Sequence, residues 1–328
     1  MWPANRLMAA APARWGSLAR CLGPPRPGSP ALGAPNPRIH WMAGREAFLA
    51  WEQSVLARDG LRSEADAGRA TSWPGTCTYC RSATAFHVHA GPMFEGRPNL
   101  REGLHCTRCG LSARQRLLHL ALASTLDTGR GPSGAVLERH SRLFTALRYL
   151  DPDILGSEYH PRHGRPGRRC LSLRPGRLPL PRLSRHESIT GLSYPDRSLG
   201  YLAHSDVLEH VEDSAAALRE SRRVLAPGAA TVFTVPFFAR LDHTIVRGYS
   251  DPHGTRIDLQ PAEYHGDGAT GRGIYTWYNF GWSFFALLQA TFTSVEIGAV
   301  HSPAHGLMAS DSRQAWWTML PLVFRCRA

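Results

Sequence analysis

Residues 205–237 read SDVLEHVEDSAAALRESRRVLAPGAATVFTVPF and contain, in order, an acidic loop, an amphipathic helix, a Pro-Gly turn and an apolar strand. The loop brings Asp206, Glu209 and His210 close together directly after LGYLAHS, which itself has the composition of a strand. A strand, a loop, a helix and a second strand in this order are typical of a βαβ unit. The stretch therefore predicts a parallel sheet.

The same alternation of short apolar runs and helices extends from about Gly134 to the end of the chain. It predicts an α/β domain over 134–328 with a Rossmann-like, doubly wound, mostly parallel sheet of seven strands. The strands are expected in AVLE (135–138), DILGSEY (153–159), LSRHESIT (183–190), LGYLAHS (199–205), ATVFTVPF (230–237), SVEIGAV (294–300) and PLVFRCR (321–327). Helices are expected at about 112–126, 141–149, 213–225 and 281–292. The Arg- and Pro-rich stretch between the second and third runs is interpreted as a loop with no more than a turn of helix.

The composition of the 328-residue chain restricts the partners that it could have. Its formal net charge is +12, but every basic residue is Arg, and these residues are scattered, so a nucleic-acid partner is not favoured. No apolar run has transmembrane length and no segment resembles a signal peptide, which predicts a cytoplasmic protein without a membrane partner. Residues 1–45 have no acidic residue and are rich in Ala, Pro, Gly and Arg, so they are interpreted as a disordered leader.

Four of the seven cysteines form two CxxC pairs in a segment with few periodic apolar residues, namely Cys77, Cys80, Cys106 and Cys109. Zinc is bound by four such donors in a tetrahedron, and two pairs supply them. Because four cysteines leave no open position for water or substrate, the spacing predicts a structural zinc site in a small segment over 46–130. The alternatives are unpaired thiols, or a nearby histidine in place of one cysteine.

Acidic residues recur where the predicted strands end. In an open α/β sheet, ligands bind outside the carboxyl ends of the strands, so residues there are candidates for ligand contact. Glu138 follows the first strand, Glu158 ends the second, Glu187 lies in the third and Asp206 follows the fourth. A carboxylate at the end of the second strand is the usual partner of a ribose diol. Each acid taken alone is also compatible with a solvated surface charge.

Three stretches of the chain resemble one family. SYPDRSLGYLAHSDVLEHVEDSAAALRESRRVLAPGAATVFTVPF (193–237) resembles the central motifs of class I S-adenosylmethionine-dependent methyltransferases of the type-11-like group. LQPAEYHGDGATGRGIYTWYNFGW (259–282) is similar to a segment of a bacterial subgroup, and NLREGLHCTRCGLSARQR (99–116) is similar to that subgroup's four-Cys segment. The resemblance implies an antiparallel C-terminal strand, S-adenosylmethionine as cofactor and structural zinc.

The resemblance also implies that the loop after the fourth strand faces the methionine end of the cofactor. The residues it assigns to cofactor contact are Ser205, Asp206, Glu209 and His210 in this loop, with Glu138, Glu158 and Glu187 at the other strand ends. From the residues alone, an alternative is that Glu209 and His210 only cap and pack the next helix, which has Asp213 as its N-cap.

The activity that the resemblance implies is in-line transfer of a methyl group from a sulfonium to an oxygen or nitrogen of a small molecule or glycan precursor. Such a protein aligns the reactants and supplies a base. His265 within AEYHGDG is the best candidate base, with Tyr264 and Asp267 beside it, because histidine titrates near neutral pH. HGDG is otherwise compatible with a simple turn.

Two features depart from the family pattern. The first strand leads into VLERHSRLF, without a glycine between Gly134 and Gly156, where a Gly-rich loop lets the backbone approach a cofactor. Either Ser141 caps a helix with a wider approach, or side chains such as Glu138 partly fill the pocket. HES stands where an Asp that recognises adenine is typical. The alternatives are therefore a catalytically inactive binding module, or an RNA methyltransferase, which the zinc segment and positive charge would permit.

Overall fold

A computed structural model describes residues 35–59, 62–90, 93–94, 97–126, 133–160, 164–173, 181–266, 273–309 and 320–328. Its centre is a nine-stranded sheet. The strands of this sheet are β1 His40–Met42, β2 Ala135–Val136, β3 Leu155–Glu158, β4 Arg169–Leu173, β5 Pro181–His186, β6 Leu199–Ser205, β7 Leu225–Thr234, β8 Ser294–Ala299 and β9 Leu322–Arg327.

Six helices and several short elements surround the sheet in the described ranges. The helices are α1 Arg45–Asp59, α2 Arg62–Arg69, α3 Ala113–Thr125, α4 Arg142–Leu147, α5 Ser214–Val224 and α6 Trp282–Thr291, with 3-10 turns at Val88–Ala90, Leu208–His210 and Pro303–His305. Among the smaller antiparallel groups, Ser82–His87 pairs with Ser72–Cys77 on one side and with His105–Cys106 on the other. The other groups pair Met93–Phe94 with Arg97–Pro98, Ile245–Val246 with Tyr278–Asn279, Gly248–Ser250 with Arg256–Asp258, and Tyr264–Gly266 with Gly273–Tyr275. None of these helices has the length and apolar character of a membrane span.

The strand order is β1-β8-β9-β7-β6-β2-β3-β5-β4. The five strands from β7 to β5 run parallel, and β9 is antiparallel to both of its neighbours, as expected. Each of the seven predicted runs contains a strand of this sheet. From β2 the chain moves outward to β3 and β5, then returns to the other side of β2 as β6. The order therefore reverses between β2 and β6, where ligands bind in folds of this kind.

The predicted count of seven strands is wrong because a further strand pairs with each edge of the sheet. β1 pairs antiparallel with β8 and lies within the predicted leader, of which residues 1–34 are outside the described residues. β4 pairs antiparallel with β5 in the stretch interpreted as a loop. Along it Arg169 and Leu171 are exposed while Cys170 is buried, the alternation of an edge strand. The arginines and prolines around it hide this pattern in the sequence.

Helices cover both faces of the sheet. On one face α3 packs its Leu117, Leu118 and Leu122 against Tyr201 and Val232 of the sheet within one buried cluster. On the other face α5 and α6 pack against side chains of β7 and β9 in a second cluster. Because α3 belongs to the segment predicted over 46–130, that segment supplies a layer of the central core, and the predicted boundary near 130 does not divide this core.

Candidate functional site

The acidic residues predicted at the ends of β2 and β6 meet where the strand order reverses. One carboxylate oxygen of Glu138, Oε1, is buried and has no hydrogen-bond partner within the described part of the chain. Burial raises the pKa of Glu138 to about 7, with smaller contributions from the negative charges of Glu158 and Asp206, while Arg114 opposes them. A buried carboxylate oxygen without a partner is costly, so this position favours a ligand that donates a hydrogen bond.

Asp206 lies in the turn after β6 with a backbone φ of 52°, in the left-handed region that few residues adopt. Both of its carboxylate oxygens accept from the guanidinium of Arg101, at 2.8 and 2.6 Å, and the hydroxyl of Thr234 donates at 2.9 Å. Burial opposes the charge of Asp206, but Arg101 and Arg114 outweigh it and lower the pKa of this carboxyl. Asp206 is therefore an ionised, fully paired residue.

Arg101 and Arg114, which were not predicted as site residues, come from the four-Cys segment. Arg101 is 1% exposed, and Arg114 donates to both oxygens of Glu102, at 2.8 and 2.9 Å. Arg114 also lies 3.2 Å from Asp206 and donates to the hydroxyl of Ser205. Both arginines stand in NLREGLHCTRCGLSARQR, but only the folded chain shows that this stretch reaches the ends of β2 and β6.

The acids at the ends of β3 and β5 are held by the protein itself. Glu158 accepts from the backbone amide of His140 at 2.7 Å, which fixes the loop after β2. Glu187 is buried, and its Oε1 accepts from Arg185 at 2.6 Å and from the hydroxyl of Ser193, while its Oε2 accepts from the amide of Ser193 at 2.8 Å. Arg185 and Ser193 therefore hold Glu187 in the turn after β5.

Ser141 caps a helix in the loop after β2, as one of the two alternatives for this loop predicts. The hydroxyl of Ser141 accepts from the amide of Phe144 at 3.0 Å and so caps α4. The amide of Arg139 donates to the carbonyl of Ser157 at 2.9 Å. These bonds hold the backbone of the loop against β3.

Glu209, His210 and His265 form a second group beside this site. Glu209 is 0% exposed, and neither carboxylate oxygen has a hydrogen-bond partner among the described residues. Its Oε1 lies 3.8 Å from Nε2 of His210 and 4.0 Å from Nδ1 of His265. Burial, and then the charge of Asp206, raises the pKa of Glu209 well above its ordinary value. Asp213 caps α5, accepting from the amide of Ala216 at 2.8 Å, as predicted.

Two of the three predicted catalytic residues, His265 and Tyr264, contact different parts of the protein. His265 Nε2 lies 3.0 Å from Glu263, and its ring packs edge-to-face on His210. Tyr264 is 48% exposed and its hydroxyl accepts from Arg256 at 3.1 Å, on the opposite side of the strand. Asp267 lies outside the described residues. Of the three, the structure therefore places only His265 beside the loop 205–210.

The four predicted cysteines meet in one buried cluster, and their sulfur atoms all lie within 4.8 Å of one another. Sγ of Cys77 is 3.8 Å from Sγ of Cys109, and Sγ of Cys80 is 3.9 Å from Sγ of Cys106. Ligands at the usual zinc–sulfur distance in a tetrahedron lie about 3.8 Å apart. Gly110 has the left-handed φ of 71° that lets the chain turn after the second pair. The cluster can therefore hold a tetrahedral metal ion.

A protein-family model described as a methyltransferase domain matches residues 172–233. Solved structures are similar to this chain at low identity. A Mesorhizobium loti S-adenosylmethionine-dependent methyltransferase is 15% identical, covering 64% of this chain and 96% of its own, with a TM-score of 0.37. A Methanosarcina mazei S-adenosylmethionine-dependent methyltransferase is 13% identical, covering 63% and 95%, with a TM-score of 0.33.

Haemonchus contortus phosphoethanolamine N-methyltransferase 2, solved in complex with S-adenosylmethionine, is 13% identical and covers 40% of this chain and 29% of its own, with a TM-score of 0.25. No curated protein matches this chain. The matched family segment runs from the end of β4 through β6 to β7 and includes the loop 205–210. Over residues 172–233 this chain is thus similar to a methyltransferase domain.

Proposed function

We propose that the protein transfers a methyl group from S-adenosylmethionine to an oxygen or nitrogen of a small molecule or glycan precursor. The observation that carries the proposal is the position of loop 205–210. This loop belongs to the segment that matches a methyltransferase domain, and it lies where the strand order reverses, between β2 and β6.

The charges at this position suit the amino-acid end of the cofactor, which carries a carboxylate and an ammonium group. Oε1 of Glu138 is buried without a partner in the described residues and could accept from the ammonium or from a ribose hydroxyl. Arg114 could donate to the carboxylate. The ionised Asp206 would favour the nearby positive sulfonium. The residues that would hold the cofactor are thus Glu138, Arg114, Ser205 and Asp206.

His265 is the proposed proton acceptor. Glu263 accepts from its Nε2 and is itself paired with Arg247 at 3.0 Å, so the neutral ring carries its proton on Nε2. Nδ1 is then the basic nitrogen, and it faces Glu209. When the cofactor supplies the methyl group, Nδ1 would take the proton that the attacking oxygen or nitrogen loses.

The four cysteines are proposed to hold structural zinc. Arg116 is fully buried near them and donates to the carbonyls of Leu104 and Gly306 at 3.0 and 2.9 Å. Its positive charge would offset part of the negative charge of four thiolates around one zinc ion. Because α3 carries this arginine and also packs on the sheet, the zinc would hold the layer that delivers Arg101 and Arg114.

The test is calorimetric titration of S-adenosylmethionine and its demethylated product into the zinc-replete protein. We expect binding of micromolar strength, about −8 kcal/mol. Glu138→Gln should weaken it about tenfold, while the exposed Glu46→Gln should leave it unchanged. Absence of heat at millimolar ligand, in protein shown to be folded, would overturn the proposal.

One observation favours a second function, that of a binding module without catalysis. Arg101 already donates to both carboxylate oxygens of Asp206. In a binding module this side chain would take the place that a cofactor has in an enzyme. If the protein is such a module, the wild-type protein should not bind the cofactor, and Arg101→Met should not bind it either. Recovery of binding in that variant would instead show that the arginine blocks an otherwise intact site.

A further inference from the structure

We propose that Glu209, His210 and His265 bind a divalent transition-metal ion, distinct from the ion of the four-cysteine cluster. Their ligand atoms, one from each side chain, all lie within 4.8 Å of one another. Two imidazoles and one carboxylate are a donor set that zinc and ferrous iron use in catalytic sites. The nitrogen donors favour such an ion over magnesium or calcium, which prefer oxygen.

Glu209 is the first argument for the ion. Its carboxyl group lies at 0% exposure, and both oxygens are without a hydrogen-bond partner in the ranges that the structure describes. A buried carboxyl group left in this state costs free energy, unless something positive or hydrogen-bonding reaches it. Arg101 and Arg114 are close by, but they are paired with Asp206 and Glu102. A metal ion at Oε1 would supply the missing partner.

The orientation of the two histidines is the second argument. His210 Nδ1 lies 2.9 Å from the carbonyl oxygen of Tyr275, which can only accept, so Nδ1 carries the proton and Nε2 faces Glu209. His265 carries its proton on Nε2 toward Glu263, so Nδ1 faces Glu209. Metal-bound histidines usually donate their other ring nitrogen to a carboxylate or a backbone carbonyl. Here His265 donates to a carboxylate and His210 donates to a backbone carbonyl.

The spacing fits with a small adjustment. Oε1 of Glu209 lies 3.8 Å from His210 and 4.0 Å from His265. Ligands about 2.0–2.1 Å from a tetrahedral ion lie about 3.3–3.4 Å apart. Side-chain rotation that brings Glu209 Oε1 closer to each of the two histidine nitrogens by about half an ångström would give these pairs the required spacing. Three protein ligands leave at least one position for another oxygen or nitrogen.

The role of that open position rests on the proposed function. An acceptor hydroxyl bound there would lose its proton to water more readily, because the metal's charge lowers the pKa of a bound oxygen. The oxygen would form the new bond to the methyl carbon as the bond from carbon to the sulfonium breaks, which leaves a neutral thioether. With metal bound, His265 is a ligand, and the metal replaces it as the group that promotes deprotonation.

The test measures metal binding itself, with cobalt(II) added to full-length protein that already contains zinc. Equilibrium dialysis followed by elemental analysis gives the bound zinc and cobalt per chain. We expect one cobalt in addition to the zinc, without the absorption of a cobalt–thiolate bond. Glu209→Gln, which keeps the side-chain shape, and His265→Ala should each weaken cobalt binding at least 50-fold, and the exposed His253→Ala should not change it.

The outcomes separate this proposal from the proposed function. Wild-type protein that is folded and holds zinc but binds no additional cobalt at millimolar concentration would overturn the metal site. So would unchanged cobalt affinity in Glu209→Gln, the variant to rely on if His265→Ala does not fold. Calorimetry with S-adenosylmethionine on the same samples reports the cofactor site independently, so either site can fail while the other stands.

Discussion

The four-cysteine cluster and the Glu209 group both bring metal-ligating side chains together, but they are built differently. In the cluster the sulfur atoms of Cys77 and Cys109 lie 3.8 Å apart and those of Cys80 and Cys106 3.9 Å apart, already the spacing of a tetrahedral zinc site. Backbone amides of Cys80 and Arg108 point at two of the sulfurs at 3.4 Å. In the Glu209 group the two histidine nitrogens lie 3.8 and 4.0 Å from Glu209 Oε1, wider than an ion requires.

This difference separates a site that holds the fold from one suited to chemistry. Four cysteines satisfy a tetrahedral ion completely, so its binding energy becomes folding energy. The Glu209 group has three donors, room for a further ligand, and a buried carboxyl group that has no hydrogen-bond partner among the residues the structure describes. The first group should therefore control stability, and the second should control ligand binding with little effect on stability.

The largest effect is expected from Cys106→Ser. Loss of one thiolate removes much of a zinc binding energy of about 10 kcal/mol or more, and this is comparable to the total stability of about 5–15 kcal/mol of a typical domain. We expect loss of cooperative thermal unfolding, measured by near-UV circular dichroism. Cys170→Ser on the edge strand β4 is the matched control. A Cys106→Ser protein with the wild-type transition would show that the cluster is not a folding site.

A smaller loss is expected from Arg101→Met. The change leaves the buried carboxylate of Asp206 without its bidentate partner, which should cost about 3–5 kcal/mol in the free energy of unfolding by urea. Asp206→Asn in the same chain should restore part of the loss. The exposed pair of Arg69 with Asp66 is the control, and Arg69→Met should change stability by less than about 1 kcal/mol. Equal losses in the two arginine variants would contradict the assignment of Asp206 as ionised.

Glu138→Gln should have an effect that depends on pH. The pKa of Glu138 in the folded protein, about 7, lies above its ordinary value of 4.5, so the folded state holds the proton more tightly. Ionisation of Glu138 therefore destabilises the protein progressively as the pH rises from about 4.5 through 7. The variant should be more stable than wild type at pH 8 by about 1–3 kcal/mol, and nearly equal at pH 4. A gain that is the same at both pH values would show that the effect is not the carboxyl group's titration.

The smallest effect is expected from Tyr264→Phe. The hydroxyl of Tyr264 contacts Arg256 on the exposed side of the strand, away from His265. Its loss should change cobalt affinity less than twofold in the dialysis measurement, in contrast to the adjacent His265→Ala. A loss similar to that of His265→Ala would place the tyrosine in the site.

The sequence predicts features that depend on local spacing. The clustering of the four cysteines and the locations of the seven central strands are confirmed. They could be predicted because a CxxC turn and a strand of alternating or apolar residues are each specified by a few neighbouring residues. The cap of α5 at Asp213 and that of α4 at Ser141 are local in the same way. The edge strands β1 and β4 could not be predicted, because β1 is only three residues long and pairs with a distant strand, and arginines and prolines surround β4.

The pairing of charges at the site could not be predicted for a similar reason. Arg101 and Asp206 are separated by 105 positions in the chain, so neither residue's surroundings indicate the other. Glu187 looks like Glu138 in the sequence, because each stands near the end of a strand. Only the fold shows that Glu187 is bound by Arg185 and Ser193, whereas Glu138 retains a buried oxygen without a partner in the described chain.

The most direct test of the account is amide hydrogen exchange of the zinc-replete protein, with and without the demethylated product of S-adenosylmethionine at saturating concentration. If the cofactor binds between β2 and β6, protection should increase in residues 137–141 and 205–211, and much less at the four-cysteine cluster. Calorimetric binding without protection in either of these two segments would contradict the account, because the ligand would then lie elsewhere on the protein.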